Sequence, residues 1–234
     1  MKHFYPVVLS ASILFLTACG GQTAPTPGPE PVAVCPAASW VLRGSAAQSA
    51  GRYNLTDQQT FLQGAIFSQT ALDLRQDFDC SYQVFLGDND EGADGIVYTW
   101  VSALPSEPYE GGEGLNIGFG QLTTAVLGVE MDTWQNDYDP LEDHIALLIP
   151  NRPGQDSGGQ HHLAGDQVVT LSNLEDNREH TLRVVWNANS RRLRVFLDGT
   201  QRIEYTVPGS LGNSVFVGFT SGTGIAFNVH YVKP

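Results

Sequence analysis

The chain has 234 residues, with 12 Lys+Arg against 25 Asp+Glu for a formal charge of -13, and it is 41% hydrophobic but only 16% charged. That charge repels phosphate backbones and argues against a nucleic-acid reader, which needs a basic surface to displace counterions. The 25 Gly and 13 Pro argue equally against a helical bundle or coiled coil, because both residues weaken or break helix interiors.

Residues 1–18 read as a signal peptide. Lys2 and His3 give a short basic start, and Tyr5 to Leu16 is almost wholly apolar but too short to span a bilayer. Leu16-Thr17-Ala18-Cys19 resembles the bacterial lipobox, in which the cysteine is lipidated and becomes the mature N-terminus. The alternative is an ordinary secretory signal cleaved elsewhere. Gly20 and Gly21 follow without an Asp beside Cys19, which by resemblance to enterobacterial sorting favours the outer membrane. Residues 19–34 carry Pro25, Pro27, Pro29 and Pro31 without apolar periodicity, the composition of an extended, semi-rigid tether. Residues 35–234 then form one domain, which meets a membrane only through the N-terminal lipid. With Cys19 assigned to lipid, Cys35 and Cys80 remain. In an oxidising exported compartment they pair as a disulfide whose loop closure is worth about 4 kcal/mol, the alternative being two buried thiols.

From Phe61 onward short β-rich runs alternate with turn residues. Strands are expected over Cys80–Leu86, Gly95–Val101, Ala125–Thr133, His144–Ile149, Gln167–Leu171, His180–Asn187, Arg192–Leu197, Gln201–Val207, Ser214–Thr220 and Ile225–Val232. In the run from His180, Leu182, Val184 and Trp186 share one face and Arg183 and Val185 the other. Asn187–Ser190 and Asp198-Gly199 supply hairpin chemistry. No segment sustains a helical period, so the fold class is all-β, an antiparallel two-sheet sandwich.

The segment from Val129 to His144 is the richest in chemistry. In a strand Glu130 and Asp132 point one way while Val129, Met131 and Thr133 point the other. Adjacent carboxylates repel unless a cation lies between them. With Asn136, Asp139 and His144 they offer anionic oxygens, an amide carbonyl and an imidazole. Oxygen donors suit Ca²⁺, and an imidazole beside carboxylates suits Mn²⁺ or another divalent transition metal. Without a metal, the same residues would be an acidic, solvated strand and loop.

This segment resembles the metal-binding strand and loop of legume-type (L-type) lectins, with the pattern V-E-F-D-T-aromatic-x-N-x-x-D-P followed by a His. The resemblance implies a jelly-roll sandwich of the concanavalin A-like lectin/glucanase fold. It also implies that Glu130, Asp132, Asp139 and His144 hold an Mn²⁺-type ion, while Asp132, Asn136, Asp139 and the Trp134 carbonyl hold Ca²⁺. Gly92 to Tyr98 resembles the family's A-D-G motif, making Asp94 a sugar ligand. Gly111 to Gly118 resembles the loop that donates a backbone N–H to sugar, here from Gly112 or Gly114. Val217 to Gly224 resembles the last-strand loop at the pocket rim, with Ser221 and Gly222 as candidates. Trp134 would stack on the pyranose, the alternative being a core aromatic, and Asp94 and the Asn136 amide would meet two adjacent sugar hydroxyls. The wording of Asn173–Thr181 and Phe196–Gly199 is closer to the bacterial branch of the family. The implied partners are glycans, bound without catalysis, with an oligomer left open.

Two other functions fit parts of the pattern. Laminarinase-like hydrolases on the same sandwich need a second Glu in E-x-D-x-(x)-E, because retaining hydrolysis uses two carboxyls on one bond; Trp134 and Gln135 stand there instead. A structural or adhesive domain could keep the fold and lose sugar recognition. Glu142 and Asp143 read as surface acids, Asp88, Asp90 and Glu91 as a charged turn, and His161 and His162 as part of a solvated loop.

Overall fold

Alternation sets the inner and outer surfaces of the strands. In Phe78–Phe85 the side chains of Phe78, Cys80, Tyr82 and Val84 are buried, while Asp79 and Ser81 are exposed. The same rule buries Leu182, Val184 and Trp186, as expected from their spacing. The computed structural model describes residues 35, 39–137, 139–149 and 167–234, so the signal, the tether and His161 and His162 lie outside the described residues. The strands are β1 (Trp40–Gly44), β2 (Ala47–Ser49), β3 (Arg52–Thr56), β4 (Gln63–Ser68), β5 (Leu72–Asp73), β6 (Phe78–Phe85), β7 (Gly95–Val101), β8 (Ala125–Asp132), β9 (His144–Leu148), β10 (Val168–Thr170), β11 (His180–Asn187), β12 (Arg192–Leu197), β13 (Thr200–Thr206), β14 (Ser214–Gly222) and β15 (His230–Lys233). A turn of 3₁₀ helix, Gly114–Asn116, is the only helix among the described residues.

Two antiparallel sheets result. The eight-stranded front sheet runs β1-β4-β14-β7-β8-β9-β10, with β5 paired to β14, and the seven-stranded back sheet runs β13-β12-β11-β6-β15-β3-β2. Between them lies the main core, with Tyr98, Trp100, Leu127, Val129 and Met131 from the front and Phe78, Tyr82, Leu182 and Trp186 from the back. Trp100 meets Trp186 edge to face at 5.5 Å, and Phe219 meets Tyr82 in the same way at 5.0 Å. The front sheet also buries its other face. Ala65, Phe67, Val97 and Leu148 pack there against Tyr109, Ile117, Phe119 and Leu122 of the long β7–β8 connection. A strand covered on both sides loses its alternation. Gln63–Ser68 is such a strand, which is why periodicity does not reveal it.

The Asp198-Gly199 turn closes β12 onto β13 with φ of 51° and 77°, the doubly left-handed geometry that suits a two-residue hairpin. The expected strand from Ile225 begins at His230; Ile225 and Phe227 are exposed instead of paired, and their exposure is taken up below. The segment from Trp40 to Asp73, outside the runs expected from sequence, adds five strands. Cys35 and Cys80 are joined in a disulfide, with Cα atoms 5.6 Å apart and a sequence separation of 45. It ties the start of the domain to the centre of the back sheet. Replacing both cysteines by Ser should lower stability by up to about 4 kcal/mol through the larger entropy of the unfolded chain. A urea midpoint equal to that of the unaltered protein would show that the cross-link carries none of the stability.

Candidate functional site

β8 is paired on both sides at its C-terminal end, with Gly95 opposite Asp132 on β7 and His144 opposite Asp132 on β9. Met131 and Val129 face the core, so Glu130 and Asp132 must face the other way, as their spacing requires. Pairing then brings His144 to the same face: its Nε2 is 3.6 Å from Glu130 Oε1. Asp132, Asp139 and His144 each offer a ligand atom, and these atoms lie within 4.8 Å of one another.

After β8 the chain turns across the end of the sheet, stabilised by its own acids. Asp132 Oδ1 accepts the Trp134 N–H at 2.8 Å, and Asp139 Oδ2 accepts the Asn136 N–H at 2.8 Å. The Asp139 N–H returns to the Asn136 carbonyl at 3.1 Å. Glu130 and Asp132 are fully or nearly fully buried, while Trp134, Asn136 and Asp139 are half-buried. Burial, followed by the charge of Glu130, pushes the Asp132 carboxyl well above its usual range; Asp139 and Asp94 add to this and the Trp134 N–H opposes it. The nearest basic side chain is His144, beside Glu130 and within the same cluster. A divalent cation held by carboxylate oxygens and an imidazole would reverse the shift, so the donor set fits the implied ions.

Asp94 joins this cluster from β7's leading edge, after a cis Ala93-Asp94 peptide. Its N–H donates to the Gly222 carbonyl at 3.1 Å, and its carbonyl accepts the Thr133 N–H at 3.1 Å. Burial dominates and pushes its carboxyl up to about 7, with the neighbouring Gly224 N–H opposing the shift. Gly95 follows at φ 137°, and a Cβ there would sit 2.2 Å from the Met131 carbonyl oxygen. Only glycine lets β7 approach β8 so closely at this point. Asp94 thus bridges the metal loop and the end of β14.

The other expected sugar residues divide. The Gly112 N–H donates to Gln63 Oε1 at 2.7 Å and the Gly114 N–H to the Thr223 carbonyl at 3.1 Å, so both amides are already engaged inside the fold. Ser221 is fully buried and its hydroxyl donates to the Gly95 carbonyl at 2.7 Å; Gly222 is also buried and paired with Gly95. Ser221 and Gly222 therefore shape the pocket from behind, because the strand continues two residues further than expected. Gly224 is the neighbour of Asp94 that the sequence reading passed over. A Cβ there would stand 3.4 Å from Asp94 Oδ2 and 3.3 Å from Gly114 Cα. The small-residue run Ser221-Gly222-Thr223-Gly224 was the available signal, but it did not say which residue reaches the pocket.

Asp143 is half-buried and does not behave as a surface acid. Its Oδ2 accepts the Leu174 N–H at 2.5 Å, and burial pushes both it and the adjoining Glu175 up, the latter to about 8. Glu142 is exposed as expected, and Asp90 accepts a hydrogen bond from the Asn173 amide across the loop. Asp90, Trp134, Leu141, Asp143, His144 and Asn173 line an open cavity of about 430 Å³ beside the metal loop.

An antiparallel sandwich with an acidic, cation-fitting loop and a buried carboxyl at one pole defines a ligand-binding β-sandwich. The model of the legume lectin β-barrel domain matches residues 34–234, and the chain belongs to that family. The fold is shared with the exoplasmic/lumenal domain of VIP36 in a Ca²⁺/Man-bound form, at 20% identity over 82% of this chain and 80% of that one with a TM-score of 0.64. A lectin from Bauhinia forficata in complex with GalNAc has 20% identity, covers 82% and 89%, and gives a TM-score of 0.61. The metal-free carbohydrate recognition domain of Emp46p has 12% identity, covers 83% and 85%, and gives 0.63.

Behind the pocket, His230 is fully buried with Nδ1 2.8 Å from Thr56 Oγ1 and 2.9 Å from Ser221 Oγ. Burial lowers its pKa from 6.5 to about 3. The unfolded chain takes up this proton below its ordinary pKa and the folded chain does not. Stability is therefore full above about pH 6.5 and falls towards pH 3, by at most about 1.4 kcal/mol per pH unit from this residue. Unfolding free energies at pH 6 and pH 4 should differ less in a His230→Gln variant than in the unaltered protein. Equal pH slopes would remove His230 from the acid response.

Proposed function

We propose that this chain is a metal-dependent carbohydrate-binding lipoprotein of the bacterial branch of the family, and that it breaks no bond. The observation that carries the reading is the meeting, at one pole, of the buried Asp94 carboxyl with the loop of Glu130, Asp132, Asp139 and His144. Asp132 is influenced by Asp94 and by the loop acids alike. Glu130, Asp132, Asp139 and His144 would hold the Mn²⁺-type ion. Asp132, Asn136, Asp139 and the Trp134 carbonyl would hold Ca²⁺. When bound, the ions supply positive charge that keeps the acids ionised and the loop fixed. Asp94 then accepts from a sugar hydroxyl, Asn136 meets the adjacent one, and Trp134 offers its ring to the apolar face of the pyranose. Solved relatives in complex with Man, GalNAc and galactose support this reading.

Binding without catalysis follows from the same residues. Glu130 is wholly buried against His144 and cannot reach an exposed glycosidic bond, and Trp134 and Gln135 occupy the place of a second acid. Retaining hydrolysis requires two carboxyls flanking that bond. The export assignment rests on the lipobox-like Leu16–Cys19, and the disulfide supports an oxidising compartment. Residues 19–34 would hold the domain off the outer membrane, where many copies would raise the effective affinity of a weak site. Among the described residues no helix is long and apolar enough to cross a membrane.

Glycan-array binding should require calcium and disappear on complete chelation; binding that survives chelation would reject the metal-dependent site. Asp94→Asn should weaken binding by about tenfold or more, since a buried charged hydrogen bond is lost, while bound calcium stays at the level of the unaltered protein. Release of reducing sugar from a β-glucan would overturn the non-catalytic reading. Cys19→Ser should abolish incorporation of labelled fatty acid and release the domain from the membrane fraction.

A further inference from the structure

We propose that Phe61 is a specificity-determining residue: an aromatic platform for the apolar face of a second pyranose linked to the sugar held at Asp94. The proposal rests on the sugar-binding reading above and extends its ligand from a single sugar to an oligosaccharide.

Phe61 is 57% exposed, and its backbone lies in the left-handed region at φ 57°. A bulky aromatic rarely adopts that conformation, for which Asn or Gly would be the ordinary choice. Folding gains nothing from placing the ring in water. The loop holds this arrangement through hydrogen bonds to the chain that ends at the pocket. The Phe61 N–H donates to the Gly224 carbonyl at 3.2 Å, the Thr223 N–H donates to the Leu62 carbonyl at 3.0 Å, and Thr223 Oγ1 accepts the Leu62 N–H at 2.9 Å. Thr223 Oγ1 also donates to the Gln59 carbonyl at 2.7 Å. Gly224 also lies against Asp94, where a Cβ would stand 3.4 Å from Oδ2, and the Gly222 carbonyl two residues earlier accepts the Asp94 N–H. The backbone that orients Phe61 is thus the backbone that orients the sugar-binding acid. Strain retained by such over-determined contacts marks a place where conformation serves binding.

Two more apolar side chains continue the surface. Ile225, next to Gly224, is 78% exposed and Phe227 is 40% exposed. Gln58, Gln59 and Thr60 precede Phe61 and are exposed, and Glu113 beside Gly114 is exposed on the facing loop. An aromatic ring set among amides, a hydroxyl and a carboxylate matches a pyranose, which has a C–H face and a rim of hydroxyls. A protein partner would need a broader apolar area, and an alkyl chain would leave these polar groups without partners.

The experiment is titration of the unaltered protein and of Phe61→Asn, which tolerates the left-handed backbone. Both are measured in calcium with the monosaccharide that the array identifies and with disaccharides and trisaccharides that contain it. An unchanged thermal midpoint and bound-calcium level establish that the variant folds. The unaltered protein should prefer the oligosaccharide, and Phe61→Asn should lose about tenfold in oligosaccharide affinity while monosaccharide affinity stays within about twofold. Equal losses for both ligands, or none, would overturn the platform. So would a gain confined to aryl or alkyl glycosides, which would make the surface an aglycone site. If the unaltered protein bound no glycan in calcium, the sugar-binding reading itself would fall, and the platform with it.

Discussion

Four acids converge at the end of the front sheet, with the His144 imidazole beside them, 3.6 Å from Glu130. Glu130 and Asp132 are buried within two residues of each other on one strand, Asp94 is buried on the next, and Asp139 closes the loop above. Carboxylates withdrawn from water and set side by side favour the protonated state, by burial first and mutual repulsion second. A fold that gathers them at this cost must recover it from something positive. The loop from Thr133 to Asp143 has few apolar anchors and uses its acids as backbone acceptors, so its shape and its charge problem are one feature. A cation at Asp132, Asp139 and His144 would settle both together.

The rest of the fold can be read as delivery to that point. β8 carries two of the acids, and pairing with β9 and β7 brings His144 and Asp94 to the same end without any long-range guidance beyond strand register. The second apolar layer under the β7–β8 connection matters for the same reason. Ile117 and Phe119 seat that connection on the sheet, and its glycine turn is then fastened to β4 and the end of β14 through the Gly112 and Gly114 amides. A pocket formed by three separate connections becomes rigid only when each is tied to a strand end. Preorganisation of this kind lowers the ordering cost that a small, hydroxyl-rich ligand would otherwise have to offset.

Much of this was legible in the sequence because short-range rules carried it. Alternation placed Glu130 and Asp132 together, Asp198-Gly199 announced a hairpin, and the family pattern through Asp139 and His144 marked the metal loop. What the sequence concealed followed from burial on both faces or from backbone hydrogen bonding. Gln63–Ser68 shows no alternation because apolar layers cover both its sides. Ser221 was expected at the rim because Val217 to Gly224 resembles the family's last-strand loop. It is buried by the continuation of β14, where its hydroxyl bonds Gly95 and neighbours His230. Asp143 looked solvated because its acceptor role depends on Leu174, distant in sequence.

The internal use of the glycine-loop amides shifts where recognition can reside. Once Gly112 and Gly114 donate to Gln63 and Thr223, those two N–H groups serve to hold the pocket's wall, and a ligand must find its partners among side chains and the remaining backbone of the rim. The Asp94 backbone is fixed from two directions, by Gly222 and Thr133, with Gly224 close against its carboxyl. Discrimination between ligands must therefore come from residues that differ in exposure and contour around it: Trp134 and Asn136 on the metal loop, and Phe61 with Ile225 on the opposite rim. The first pair sits on a loop whose Trp134 and Asn136 N–H groups donate to the Asp132 and Asp139 carboxylates. The second rests on hydrogen bonds between the β3–β4 loop and the end of β14, made by the backbone and by Thr223 Oγ1. One side of the pocket is thereby organised by the acids of the metal-binding-type loop and the other by the sandwich itself, so a change in the charge of those acids bears on the first side and not on the second.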